Sequence, residues 1–99
     1  MRQIKKRYGE PVEISEAAEL LSARGFVCFV KMAVCGVRKF KRGDLPQIFG
    51  LGTSQTTEIV RELRLMKYIE LINNGVGRPR EVFIKRQLLI YRNQKFVYR

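Results

Sequence analysis

Apolar and polar positions separate most cleanly over residues 53–67. At 100° per residue Thr56, Ile59, Val60, Leu63 and Met66 fall in one stripe, while Ser54, Thr57, Glu58 and Arg61 point the other way. This predicts an amphipathic helix running to about Lys67, capped by either Gly52 or Thr53. Leu65 is an apolar exception on the outward side, placed to pack against a partner subunit or the C-terminal segment. Just before it, Leu45, Ile48 and Phe49 keep i, i+3, i+4 spacing, Asp44 offers a cap and Pro46 falls in a first turn, where its missing N–H costs nothing. A short helix over about 44–49 follows, joined to the longer one by the tight turn Gly50-Leu51-Gly52.

The flanking segments are read in the same way. Ser15 as a cap, Glu16 and Glu19 in the first turn and Gly25 as a stop predict a helix over about 15–24. Residues 26–34 are apolar except for Lys31, a pattern that fits a buried strand or a buried helix; Met32, Ala33 and the lack of turn residues other than Gly25 favour the helix. Residues 37–43 are strand-like and basic around Phe40. Tyr68–Ile72 and Glu81–Lys85 are β-prone and enclose the turn-rich residues 73–80, which predicts a hairpin with a long basic loop. Residues 88–91 and 96–98 flank a polar stretch in which a second hairpin and a helix are equally supported. No internal repeat is present.

Charge then narrows the partner. Twenty Lys and Arg against nine Asp and Glu leave a formal +11 on 99 residues, spread over both halves of the chain. With 45% apolar residues there is material for one core, so a single domain over 1–99 is expected. Histidine is absent, which excludes His-based triads, His zinc sites and a His general base. The two cysteines, Cys28 and Cys35, cannot form a Cys-rich metal site and are expected as buried thiols in a reducing compartment. Asp44 is the only aspartate, no phosphate-loop motif occurs, and no apolar run approaches the roughly 18 residues of a membrane span. The expectation is a soluble, cytoplasmic protein without catalysis, metal, cofactor or membrane contact.

The stretch from Asp44 to Leu71, with its "FGLGTSQTT" turn, "VREL" core pattern and "MKYIEL" exit into a strand, followed by the "GVGRPREVFI" loop and strand, resembles small winged helix-turn-helix transcription regulators of bacteria, archaea and archaeal viruses. The resemblance implies an α+β fold: a three-helix core with a β-hairpin wing over residues 26–86, an N-terminal extension over 1–25 and a C-terminal extension over 87–99. It places the protein at the nucleoid, or in a host-cell cytoplasm if viral. In relatives such extensions commonly form a dimer interface, which here would use Leu88, Leu89, Tyr91, Phe96 and Tyr98. One departure stands out: those families usually close the third helix on glycine, and here that position is Lys67.

Independently of the family, a basic surface around an amphipathic helix suits duplex DNA, whose phosphates supply affinity and whose base edges supply specificity. The expected helix contacts are Thr53, Ser54, Gln55, Thr57, Glu58, Arg61 and Arg64, with Gln55 suited to adenine and Arg61 to guanine. Arg61 pairing with Glu58 on a solvated face is the plainer alternative. The expected wing contacts are Asn74, Gly77, Arg78, Pro79 and Arg80, whose two arginines about a rigid proline fit a narrow A·T-rich minor groove. Lys39, Lys41, Arg42, Lys85 and Arg86 are expected on phosphates. The reading is therefore a homodimeric, sequence-specific double-stranded DNA-binding regulator acting by promoter occupancy. An RNA-binding winged helix and a winged helix used for protein assembly remain alternatives; Phe40, Tyr91 and Tyr98 would be the stacking platforms for RNA.

Overall fold

Ser22 starts the first long helix. In a computed structural model that describes residues 11–72, 80–92 and 95–98, the backbone of Leu21 and Ser22 is extended, and the Ser22 hydroxyl accepts from Gly25 N–H at 3.0 Å. Ser22 thus caps helix α2 (Ala23–Ala33) and separates it from the shorter α1 (Ile14–Leu20). The single helix expected over 15–24 is therefore two elements. Ser15 lies inside α1 rather than capping it, and Gly25 is a buried residue in the first turn of α2 rather than a stop. The apolar run over 26–34 is helical, with Cys28, Phe29, Met32 and Ala33 buried along one face.

Strand β2 (Lys39–Lys41) leads through a 3₁₀ turn (Arg42–Asp44) into α3 (Leu45–Phe49). Pro46 sits in the first turn of α3, and Gly50 ends it with φ 71°. Asp44 occupies the cap position without a side-chain cap bond. Lys31 of α2 donates from Nζ to Phe49 O at 3.0 Å, placing a cation at the negative end of α3. Gly52 is the cap of α4 (Thr53–Leu65), so Thr53 is its first residue. Helix α4 buries Thr56, Ile59, Val60 and Leu63 against α2 and α3.

After α4 come β3 (Ile69–Ile72), β4 (Glu81–Ile84), β5 (Leu88–Arg92) and β6 (Lys95–Tyr98). Strand β4 is central in an antiparallel sheet of order β2-β4-β3, with Ile69 opposite Ile84 and Phe40 opposite Val82. Its core face carries Phe40, Val82, Ile84 and Ile69, which join the helices in one hydrophobic cluster. The C-terminal segment is the hairpin rather than the helix. It forms a second sheet of order β1-β5-β6, in which β1 (Val12–Glu13), unexpected from the sequence, runs parallel to β5 with Val12 opposite Leu88. Over the described residues the architecture is α+β, four helices with small sheets, and it is compatible with the expected helix and hairpin order.

Two expectations about buried groups change. Cys28 is buried, but Cys35 lies beyond the end of α2 and is exposed. Leu88, expected on a dimer surface, is 0% exposed and belongs to the chain's own core, because β5 lays it against Val12.

Candidate nucleic-acid interface

Burial of one side of α4 displays the other. Thr53, Ser54, Gln55, Thr57, Glu58, Arg61 and Arg64 are all exposed, and Leu65 is 67% exposed. Among the described residues Glu58 and Arg61 form no ion pair, so the plainer account of Arg61 lacks its contact. The exposed face carries hydroxyl, amide and guanidinium groups, the chemistry that reads base edges and phosphates, together with the Glu58 carboxylate and Leu65. At the start of the helix, Thr57 Oγ1 donates to Thr53 O at 3.0 Å.

Arg42 connects this face to the strands. Its Nη2 donates to Thr57 Oγ1 at 3.1 Å, while its backbone N–H donates to Arg80 O at 2.8 Å. The 3₁₀ turn, the outward face of α4 and the root of the loop between β3 and β4 thus lie within hydrogen-bond reach of one residue. Lys39 and Lys41 are exposed on either side of buried Phe40, as alternation along β2 requires. Arg80 is exposed at the entry to β4. Asn74, Gly77, Arg78 and Pro79 of the expected wing lie outside the described residues.

Lys85 and Arg86 diverge. Lys85 follows β4 and lines, with Arg64, Lys67, Ile69, Glu70 and Leu71, a shallow groove of about 290 Å³. Arg86 is turned to a structural task. Its Nη2 lies 3.4 Å from Pro11 O and 3.9 Å from Glu16 Oε2, and its guanidinium carbon is 5.2 Å from the Tyr68 ring centroid. The same arginine thus links Pro11, α1 and Tyr68. Tyr68 in turn meets Phe29 edge-on at 4.9 Å. Burial pushes the Tyr68 hydroxyl pKa up, with Arg86 opposing and Glu16 adding to the shift.

Sequence reasoning missed Glu62, which holds the outward helix in place. From α4 its Oε2 accepts from Ser22 N–H at 2.7 Å and its Oε1 from Ser22 Oγ at 2.8 Å, setting a carboxylate at the positive end of α2. Ser22 as a cap-forming residue followed three positions later by glycine was the local signal for the start of α2; nothing local pointed to Glu62. Of the expected dimer residues, Leu89 is half-buried, and the side chains of Tyr91, Phe96 and Tyr98 lie outside the described residues.

Among the described residues no helix is long and apolar enough to cross a membrane, and no group of three His, Cys, Asp or Glu is placed to hold a metal ion. No protein-family model, curated protein or solved structure matches the chain.

Proposed function

We propose that the chain is a winged helix-turn-helix protein that binds double-stranded DNA with sequence preference and regulates transcription by occupying promoters, without catalysis. Helix α4 is the recognition helix, the β3–β4 hairpin is the wing, and α2 and α3 complete the three-helix core. The observation that carries the reading is Arg42, which bonds Thr57 on the exposed face of α4 and Arg80 at the root of the wing. A cation at that junction sits where a phosphate flanking the major groove would lie if α4 entered it. Gln55 and Arg61 are the base readers, Ser54 and Thr57 support them, and Lys39, Lys41, Arg42 and Arg64 contact the backbone. A homodimer is the proposed binding unit, formed through the β5–β6 hairpin, whose strand β6 is an open sheet edge.

Selection from a random duplex pool, with structured RNA as competitor at fixed salt, tests this reading. The expected result is an enriched duplex motif that RNA does not displace, with preference relaxed at one position by Gln55→Ala. Tighter binding to RNA, or no enriched motif, overturns it.

A further inference from the structure

Helix α4 ends in a pattern that glycine ordinarily serves. Lys67 N–H donates to Arg64 O and Tyr68 N–H to Leu63 O, both at 2.9 Å. These are the paired bonds of a helix closed by one left-handed residue, and buried Leu63 and Tyr68 add the usual apolar contact. The left-handed residue is Lys67 at φ 66°, the one non-glycine with positive φ among the described residues. A Cβ is disfavoured in that conformation, so the backbone of the turn by itself would favour glycine there.

The Lys67 side chain instead joins Arg64 and Lys85 around the shallow groove beside β3, with Glu70 as its one carboxylate. Three cations against one anion leave the groove positive, and the carboxylate eases their mutual repulsion in the free protein. Arg64 lies one turn beyond Arg61 on α4, so the groove continues the exposed face of that helix. Strand β3 is also an edge of the β2-β4-β3 sheet, and its outer row of backbone N–H groups has no ladder partner among the described strands. Cationic side chains gathered along one groove are the chemistry that holds a phosphodiester.

We propose that Arg64, Lys67 and Lys85 grip a backbone phosphate of the bound duplex at the C-terminal end of α4, opposite the contact made by Arg42 near its start. This rests on the duplex-binding reading above. Lys67 is then kept at a glycine position for its charge, at the expense of the turn.

The test uses the full chain, a fluorescent random-sequence duplex pool and a salt titration. Lys67→Gly should melt at the same or a higher temperature, bind the duplex several-fold more weakly, and show a log K against log salt slope smaller by about 1. Lys67→Ala keeps the strained Cβ without the ammonium, so it should lose the same affinity while melting lower. Glu70→Gln should bind more tightly than the parent. Unchanged affinity and slope in Lys67→Gly, while the parent binds duplex, overturns the groove and leaves the recognition helix standing. Failure of the parent to bind any duplex overturns both. Saturable binding of inorganic phosphate in the groove, with the duplex slope unaltered by Lys67→Gly, overturns it in favour of a small phosphorylated ligand.

Discussion

Replacing Gly25 by alanine should change sign with the residue at position 62. A Cβ on Gly25 would overlap Glu62 Oε1 and lie 2.8 Å from its Cδ. A free carboxylate would swing away, but this one is held by Ser22 N–H at 2.7 Å and Ser22 Oγ at 2.8 Å. Moving it sacrifices two charge-assisted bonds at a half-exposed site, about 2 kcal/mol together after allowance for solvent. Alanine returns about 1 kcal/mol over glycine inside a helix. Gly25→Ala should therefore destabilise the parent by about 1 kcal/mol, roughly 4–8 °C in Tm for a domain of this size. In a Glu62→Ala background the obstacle is gone and only the helix gain remains, so the same substitution should stabilise by about 1 kcal/mol. Urea denaturation of the four proteins in this cycle reads a coupling of about 2 kcal/mol. An equal effect of Gly25→Ala in both backgrounds would refute the view that Glu62 is fixed against the start of α2.

Tyr68 offers a pH test. Its hydroxyl is buried without a hydrogen-bond partner among the described residues, and burial raises its pKa. A folded pKa above the unfolded value of about 10 means that the contribution is intact below that pH and is lost as pH rises through the folded pKa. Tyr68→Phe should remove this alkaline loss and leave stability at pH 7 unchanged or raised by up to about 1 kcal/mol; a loss of more than that in denaturant titrations would show that the hydroxyl has a stabilising partner. The thiols give a further check, since Cys35 is exposed while burial raises the pKa of Cys28 against the opposing pull of Lys31 and Arg24. A thiol reagent should label the native protein at Cys35 first and reach Cys28 only on unfolding, and equally fast labelling of both would contradict the packing of α2.

Much of the local architecture is legible in the sequence. Periodicity alone separates Thr56, Ile59, Val60 and Leu63 from Ser54, Thr57 and Arg61, because a helix converts spacing directly into faces. Turn chemistry marks α3, the Gly50–Gly52 link and the β3–β4 hairpin, and the helix end that the resemblance set at position 67 is where the backbone turns left-handed. The candidate site is readable to the same extent: its exposed helix face follows from pattern, and its charge from composition.

What the tertiary structure decided are pairings between residues far apart in the chain. Ser22 and Glu62 are separated by 40 positions, Arg86 and Pro11 by 75, and neither partner's local context announces the other. The parallel β1–β5 pair and the burial of Leu88 likewise join residues far apart in the chain. The same holds for the choice among cations. In the sequence Arg42, Lys85 and Arg86 are equivalent positive charges, all expected on phosphates, and Lys67 stands out only as the helix end. Folding lays Arg42 on Thr57 of the exposed face, brings Lys67 and Lys85 to one groove, and spends Arg86 on Glu16 and Tyr68. Local sequence sets the faces of the elements, whereas the function of a charge depends on which neighbours the assembled chain brings within a few ångströms of it.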